Sequence, residues 1–508
     1  MSVLTGKELR IVGFLCNWCS YGGADTAGVA RATQPTDLRI IRVPCSGRVN
    51  PLFPLKALLS GADGVLVSGC HPRDCHYSAG NFYARRRLEL LKEFLPIVGI
   101  DPARFHYTWV SASEGPRWKQ VVTAFTDRIH KLGPAPKFQD AVPSYDMPDL
   151  APVAPLRNLS CGANPALEDL KKQLKEALSD DHLFCVVGWQ KSFDGLHATP
   201  LHMRKPEDVD KLIWGPFNVH STANMIPQLV NDAKAAAMVG VKRGDPIPPA
   251  KKIGVVVKGC DGKWLVELLQ EKLIDRDAVE IFAMGCNGTV SYDRIIAKIG
   301  AGKRIDSVEG NGDTLRVVAD GQEYSLSMKD VAQDKCRACT VPNAPVYDHF
   351  AGDPVKVSED AKPEAAAILA YLDGLTLEQR MSFWRGAIER CIRCHACRNA
   401  CPMCVCREYC VADSREPHWV TQEDTPVNKL FFQLIHALHL AGRCTGCGEC
   451  NRACPMGVPV GALKLHAARI VRALFDGYQP GTKLEAVPPF LGYEVEEKNI
   501  PEHQIEGA

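Results

Sequence analysis

Eight cysteines near the carboxyl end repeat one spacing, and this repeat constrains the chain more than any other feature. Each copy reads C-x-x-C-x-x-C-x-x-x-C-P, at residues 391–402 and again at residues 444–455. In this spacing three thiolates of a tight loop hold one 4Fe-4S cluster, and the fourth thiolate, before the proline, binds the other cluster. The predicted ligands are therefore Cys391, Cys394, Cys397 and Cys454 for the first cluster, and Cys401, Cys444, Cys447 and Cys450 for the second.

Zinc held by four thiolates is the competing interpretation of this repeat, but zinc sites need neither the third C-x-x-C step nor the proline. Between the two copies, residues 428–440 carry apolar side chains at helical spacing. Together these features resemble the helical ferredoxin of the heterodisulfide reductase small subunit and of fumarate reductase. The resemblance implies a mainly helical domain with two 4Fe-4S clusters, which we place at residues 376–476, before a tail at 477–508.

The whole chain has 22 cysteines in 508 residues and a net charge of +1. It begins with no signal-peptide pattern, and no apolar run approaches the length of a membrane span. We therefore expect a cytoplasmic protein without membrane insertion and, given the balanced charge, without a nucleic-acid partner. Disulfides are rare in that compartment, so metal or redox chemistry should explain the cysteines. Two stretches that are poor in core residues, predicted as linkers at 133–179 and 346–375, separate three cysteine groups.

The first domain, at residues 1–132, alternates between strand and helix patterns. Strands are predicted at residues 9–15, 38–43, 64–68 and 104–110, and helices at 24–31, 54–59, 78–94 and 115–130. This alternation predicts an α/β domain with a doubly wound parallel sheet. Five cysteines follow its strands, at the edge where such sheets bind ligands: Cys16, Cys19, Cys45, Cys70 and Cys75. Simple packing of small thiols does not explain that placement, so we expect a metal cluster.

Three segments of this domain closely resemble one family. They are Phe14-Leu-Cys-Asn-Trp-Cys-Ser-Tyr-Gly-Gly-Ala-Asp25, Arg42-Val-Pro-Cys-Ser-Gly-Arg48 and Gly69-Cys-His-Pro-Arg-Asp-Cys-His-Tyr77. Over residues 9–130 the chain resembles the delta subunit of methyl-viologen-reducing hydrogenase. The resemblance implies a 2Fe-2S cluster held by four of the five cysteines, without indicating which is the fifth. It also implies that the domain links an electron donor to a flavin-bearing heterodisulfide-reductase-like subunit.

The middle domain, at residues 180–345, carries four further cysteines. Predicted strands at 252–258 and 278–284 lead to two of them, and a C-x-x-C pair supplies the rest: Cys260, Cys286, Cys336 and Cys339. Four thiolates suffice for one 4Fe-4S cluster, and zinc remains the alternative. The cysteine positions resemble the beta subunit of the deazaflavin-coenzyme-reducing hydrogenase and its formate dehydrogenase relatives. That resemblance implies an α/β domain with a 4Fe-4S cluster. It also makes FAD a candidate cofactor, although no flavin-contacting residue can be assigned.

These features favour an electron-transfer subunit with three 4Fe-4S clusters and one 2Fe-2S cluster. No nucleophile with its base is recognisable, and no G-x-G-x-x-G run opens a helix to bind a nicotinamide. The resemblances imply a hetero-oligomeric, flavin-based electron-bifurcating complex, in which electrons pass between a dehydrogenase, hydrogenase or reductase and a flavin-bearing subunit.

Two alternatives to this function stay open: a catalytic FAD or deazaflavin-dependent dehydrogenase subunit, and a zinc-bearing assembly hub. Five cysteines remain beside these seventeen candidates. Packing is the expected role of Cys161 and Cys185, whereas Cys404, Cys406 and Cys410 either ligate a further cluster or are thiols near an iron site.

Overall fold

The computed structural model describes residues 9–145, 164–357, 366–406, 409–413 and 419–501. These residues form two α/β units and a helical unit. None of the described helices combines the length and the apolar character that crossing a membrane requires.

The first unit contains every strand and helix predicted for it, with ends within four residues of the predicted ones. Its elements are β1 (Ile11–Cys16), α1 (Ser20–Val29), β2 (Leu38–Val43), α2 (Leu52–Leu59), β3 (Gly64–Gly69), α3 (Gly80–Phe94), β4 (Phe105–Trp109) and α4 (Gly115–Leu132). The four strands form a parallel sheet in the order β2-β1-β3-β4.

Alternate side chains of this sheet face two helical layers, which makes it doubly wound. Ile11 and Leu15 of β1 join an apolar cluster with Val121 of α4, whereas Phe14 joins the cluster of α2 and α3 on the opposite face. Strand β3 lies in the middle and is buried at all six positions. Burial on both faces explains why its sequence is almost continuously apolar.

The middle unit is built on a five-stranded sheet with a smaller sheet beside it. Its elements are α5 (Ala166–Ser179), β5 (Leu183–Lys191), β6 (Ala198–Met203), α6 (Ile226–Ala237), β7 (Lys252–Val257), α7 (Gly259–Gln270), β8 (Val279–Met284), α8 (Tyr292–Ile299), β9 (Ile305–Asn311), β10 (Thr314–Ala319), β11 (Gln322–Ser327), α9 (Met328–Val331), α10 (Asp334–Arg337) and β12 (His349–Ala351). The larger sheet has the order β12-β8-β7-β5-β6 and is parallel except at β6. Strands β9 to β11 form the antiparallel smaller sheet.

Both predicted linkers contain parts of the middle unit. Helix α5 lies within 133–179 and buries Leu170 and Leu174 in one apolar cluster with Trp189 of β5. Strand β12 lies within 346–375 and pairs with β8. The middle unit therefore extends beyond the predicted bounds of 180 and 345, because α5 and β12 cover a face and an edge of its sheet.

The helical unit contains α11 (Ala367–Asp373), α12 (Leu377–Glu389), α13 (Ala396–Asn399), α14 (Pro426–His439), α15 (Glu449–Arg452) and α16 (Val460–Leu474). It lies between the other two units. Toward the first unit, Trp384 of α12 donates a hydrogen bond to the carbonyl of Ile97 at 2.8 Å, within a shared apolar core. Toward the middle unit, Met403 and Leu440 share a core with Trp264 of α7.

The residues after α16 return to the first unit instead of forming a free tail. Tyr493 stacks on Phe82 with ring centroids 5.0 Å apart. Glu497 forms a buried ion pair with Arg86 of α3. The segment around residues 493–497 therefore packs against the first domain.

Candidate iron-sulfur centres

The five cysteines of the first unit meet at the carboxyl edge of its sheet, as predicted. Cys16 is the last residue of β1, and the other four lie in the loops that follow the strands. The sulfurs of Cys16 and Cys70 are 3.6 Å apart, and those of Cys45 and Cys75 are 3.8 Å apart. These four residues are buried, whereas Cys19 at the start of α1 is half-buried.

The two sulfur pairs have the spacing that a tetrahedral metal requires. Metal–sulfur bonds of about 2.3 Å in tetrahedral geometry separate two sulfurs by about 3.8 Å. Two such pairs, Cys16 with Cys70 and Cys45 with Cys75, are joined by a contact between Cys16 and Cys45, so the group can surround a binuclear centre. Cys19 contacts Cys70 from outside these pairs. The arrangement is compatible with the predicted 2Fe-2S cluster held by four of the five cysteines.

The contacts among these sulfurs shift the pKa values of the thiols in opposite directions. Hydrogen bonds with Cys45 and Cys70 lower the pKa of the Cys16 thiol far below its ordinary value, whereas the same hydrogen bonds, together with burial, raise the pKa of Cys45 and of Cys70. Thiolate, not thiol, is the form that binds metal. Gly80 opens α3 directly against Cys45, where a Cβ would lie 2.5 Å from the Cys45 sulfur. The absence of a side chain at Gly80 therefore keeps space beside the sulfurs.

An exposed group of rings, here called the aromatic patch, joins the loops that carry these cysteines. Trp18 stacks on His76 with centroids 3.9 Å apart, and its Nε1 donates to the Tyr77 hydroxyl at 3.2 Å. Trp18 is 46% exposed and Tyr77 54% exposed. Because Trp18 lies between Cys16 and Cys19, and His76 follows Cys75, the patch marks where the cysteine group approaches the surface.

The four cysteines of the middle unit line one cavity of about 220 Å³. Cys260 lies in the first turn of α7, Cys286 follows β8, and the C-x-x-C pair lies in and after α10. No three of the four place their sulfurs within 4.8 Å of one another, whereas a zinc ion would need about 3.8 Å. Four cysteines therefore surround one cavity, and the 4Fe-4S cluster of the middle unit stays a prediction.

The loop of the second ferredoxin run completes the wall of the same cavity. Cys444, Thr445 and Gly446 line it. The Lys263 ammonium donates to the Thr445 carbonyl at 2.9 Å, and Lys335 lies 3.6 Å from Glu449. The middle cysteine group and the second run are therefore direct neighbours.

The two ferredoxin runs fold into matching loops. In the second run Gly446 and Gly448 have φ of 74° and 71°. The equivalent positions of the first run are Arg393 and His395, with φ of 50° and 63°. Such angles are natural for glycine and strained for other residues. That the first run adopts them without glycine indicates that the loop conformation itself is required.

The fourth cysteine of each run packs beside the other run, as the crossed assignment predicts. Cys454 lies against the apolar cluster that includes Cys391, shared with the first unit. Cys401 lies with Cys444 and Cys447 against the cluster shared with the middle unit. This partition is the one that the crossed ligand sets require. Cys397 and Cys450, one from each set, meet over Phe432, so the two predicted clusters are adjacent.

The remaining cysteines differ in their surroundings. Cys404 forms a group with Cys401 and His436 in which the ligand atoms lie within 4.8 Å of one another. Cys406 is exposed, and Cys410 contacts Arg398. Cys185 is buried inside β5, where burial raises its pKa to about 11, in keeping with a packing role. Cys161 lies outside the described residues.

Several polar side chains of this region were missed by the sequence analysis. Gln433 and His436 of α14 and Lys464 of α16 are all buried among the ferredoxin cysteines. Lys464 did carry a signal, because it shares the apolar face of α16 with Val460 and Val471, at helical spacing. A lysine on such a face needs a specific partner in the fold.

Comparisons with known proteins find family matches for the first domain and for the region of the two ferredoxin runs. Residues 11–133 match the family described as methyl-viologen-reducing hydrogenase, delta subunit, and residues 387–458 match the 4Fe-4S dicluster domain. The D-type iron-sulfur subunit of the vhc F420-non-reducing hydrogenase of Methanococcus voltae is 53% identical over 127 residues, which are 25% of this chain and 88% of the relative. The D-type iron-sulfur subunit of the Archaeoglobus profundus F420-non-reducing hydrogenase is 50% identical over 127 residues, 25% of this chain and 93% of the relative.

The first domain also resembles part of a larger protein. The A-type subunit of the ferredoxin:CoB-CoM heterodisulfide reductase of Methanosarcina mazei is 49% identical over 124 residues, 24% of this chain but only 16% of that protein. A solved F420-reducing [NiFe] hydrogenase complex from Methanosarcina barkeri matches 39% of this chain and 67% of that chain at 16% identity. Its TM-score of 0.23 supports no argument about the fold.

The two family matches confirm the resemblances stated for the two ends of the chain, while the resemblance of the middle unit stays a prediction. The two hydrogenase iron-sulfur relatives are matched over nearly their whole length, and the matched residues contain all five cysteines of the first unit. Through its first domain, this chain belongs to the delta-subunit family of methyl-viologen-reducing hydrogenase, and it carries a 4Fe-4S dicluster domain near its carboxyl end.

Proposed function

We propose that this chain is the iron-sulfur electron-transfer subunit of a hydrogenase-like or heterodisulfide-reductase-like complex. It would pass single electrons between a flavin-bearing subunit, where bifurcation would occur, and a partner dehydrogenase, hydrogenase or reductase. The observation that carries the proposal is that each of the three packed units contains a group of cysteines. Iron-sulfur clusters supply one-electron carriers whose potentials follow from ligation, hydrogen bonding and burial.

We infer the order of the cysteine groups along the proposed route from the apolar cores that neighbouring units share. Cys391 and Cys454 belong to the core that joins the first and helical units. Cys444 and Cys447 border the core that joins the helical and middle units, and their loop lines the cavity of the middle cysteines. The proposed route therefore runs from the first domain, through the first and second runs, to the middle unit.

Side chains of the protein surround the proposed clusters and shield them from water. The sulfurs of the first domain are buried except that of Cys19. The Gln433 amide lies 3.6 Å from the Cys391 sulfur and 3.9 Å from the Cys397 sulfur, so it can donate to either. Such donors and the exclusion of water tune the potential of a cluster.

The A-type chain of heterodisulfide reductase is the proposed partner of the first domain. In Methanosarcina mazei a region similar to this domain is part of that reductase chain itself. A domain that is covalently joined to a protein in one organism is a reasonable separate partner of it in another. The aromatic patch, which lies on the loops of the cysteine group, is the surface that we assign to this contact.

Replacing Trp18 by alanine should weaken binding to the A-type chain of heterodisulfide reductase and slow electron exchange with it. Tryptophan is enriched among residues that dominate interfaces, where truncation costs about 2 kcal/mol or more, roughly a thirtyfold rise in Kd. Surface plasmon resonance and stopped-flow reduction by the reduced partner would measure both effects.

The matched control for Trp18→Ala is Phe193→Ala, which removes a fully exposed ring from the middle unit. Its Kd and transfer rate should equal those of the wild type. If Trp18→Ala behaves like this control while its iron content is unchanged, the contact lies elsewhere on the protein.

Anaerobically prepared protein should contain about fourteen irons per chain, because three 4Fe-4S clusters and one 2Fe-2S cluster are proposed. Metal analysis and Mössbauer spectroscopy would measure the number and the cluster types. A reproducible value near eight would remove the first and middle centres from the proposal. Zinc in place of iron would favour the assembly hub, and flavin absorbance in the isolated chain would favour a catalytic middle unit.

A further inference from the structure

A buried ammonium group lies among the sulfurs of the second ferredoxin run. Lys464 projects from α16, and the residue is 2% exposed. Its Nζ lies 3.1 Å from Nε2 of His436. Since an ammonium group can only donate, Nε2 is the acceptor, and the imidazole proton is on Nδ1.

No carboxylate among the described residues forms an ion pair with Lys464, in contrast to other buried lysines. Lys258 pairs with Asp261 at 2.8 Å, and Lys335 lies 3.6 Å from Glu449. A buried cation without a counter-charge would be costly, and it would ordinarily lose its proton. Lys464 must therefore find negative charge of another kind.

The sulfurs supply that charge. The His436 ring that Lys464 contacts lies within 4.8 Å of the Cys401 sulfur, and the sulfurs of Cys450, Cys401 and Cys444 are the negative groups that act most strongly on the ammonium. All three belong to the predicted ligand set of the second cluster. The charge of Lys464 also reaches Cys397 of the first ligand set, but Cys397 is not among the groups that act most strongly on Lys464.

The first ferredoxin run has a different environment. Its sulfurs at Cys391 and Cys397 face the neutral amide of Gln433. A neutral donor stabilises added negative charge less than a buried cation does, because a full charge acts strongly where water is excluded. Reduction adds one negative charge to a cluster, so the two runs should differ in how readily their clusters are reduced.

We propose that Lys464 is the built-in counter-ion of the second ferredoxin cluster and gives it a higher reduction potential than the first. The proposal deepens the proposed function, because it assumes the two predicted clusters. Electrons arriving through the first run would then settle on the second, beside the cavity of the middle cysteines. Lys464 acts on the sulfurs and is a tuning residue.

The test is an EPR-monitored redox titration of the full-length Lys464→Met protein. Methionine keeps the length and flexibility of the side chain but removes the charge. We expect a tenfold fall in the reduction equilibrium constant of the second cluster, which for a one-electron couple is a fall of about 59 mV, and a smaller change in the first. Cys447→Ser, which alters a ligand of the second run, identifies the second signal.

Two further variants make the result decisive. Lys234→Met removes a half-exposed lysine that pairs with Asp275 on the surface, and its potentials should equal those of the wild type. Lys464→Arg keeps the charge and should stay close to the wild-type potential.

An unchanged second potential in Lys464→Met, with full iron content, would overturn the proposal. If Lys464→Met loses the second cluster and Lys464→Arg keeps it, the counter-ion role is supported. Loss in both variants would show that packing matters and charge does not, and would contradict the proposal.

The wild-type measurement separates this inference from the proposed function. If the wild-type protein lacks one of the two ferredoxin clusters, the proposed function fails at that point. If both clusters are present and exchange electrons with the partner, an unchanged potential in Lys464→Met rejects only the role of Lys464.

Discussion

Removing Cys401 together with Cys404 should destroy the cluster of the second run, and removing Cys454 should destroy that of the first. The partition of the cysteines between two apolar cores supports this crossing, since Cys401 packs with Cys444 and Cys447. Each loss should remove about four irons. Iron analysis and EPR of the reduced proteins would measure the loss and show which signal disappears.

The Cys404→Ala single variant is the necessary control in this experiment. The Cys404 sulfur lies within 4.8 Å of that of Cys401, so it could replace the lost ligand in Cys401→Ala. We expect Cys404→Ala to keep both clusters and the double variant to lose one. Destruction of the first run's own cluster in the double variant would show that the ligand sets are not crossed.

Replacing Cys45 by alanine should abolish the 2Fe-2S cluster and electron exchange with the flavin-bearing partner. Its sulfur forms one of the two close pairs, at 3.8 Å from that of Cys75, so one metal would lose half of its protein ligands. The expected result is a loss of about two irons with the ferredoxin signals retained. Mössbauer spectroscopy and stopped-flow transfer assays would measure the two effects.

Cys19→Ala is the matched comparison for Cys45→Ala. Cys19 comes from the same group but is half-buried and lies outside the two close pairs. The cluster and the transfer rate should survive this substitution. Loss of the 2Fe-2S signal in Cys19→Ala would mean that Cys19 is a ligand and that one of the paired cysteines is not.

Point variants test the first domain better than its deletion. In the structure, Trp384 and Phe431 of the helical unit share an apolar core with Leu55 and Leu91 of the first domain. Deletion of residues 1–132 would expose this apolar surface to water and would therefore disturb the ferredoxin region.

Local sequence patterns, whose residues lie close together in the chain, were sufficient to predict much of the fold and the candidate cluster sites. The two C-x-x-C-x-x-C-x-x-x-C-P runs indicate their clusters because loop geometry depends on local spacing. The alternation of strands and helices up to residue 132 predicts the parallel sheet, since each element is set by its own periodicity. The convergence of five cysteines follows from the sheet, because parallel strands end at one edge.

Only the tertiary structure decided how distant segments meet. The sequence could not predict that the sulfurs of Cys16 and Cys70 lie 3.6 Å apart, because this distance depends on how the loops pack. Nor could it place α5 in the middle unit, since an amphipathic helix does not specify which sheet it covers. Lys464 and His436 lie on two different helices, and nothing in the sequence shows that their side chains are in contact. Whether a buried lysine is stable depends on the charges around it in space, and these are fixed only when the whole chain has folded.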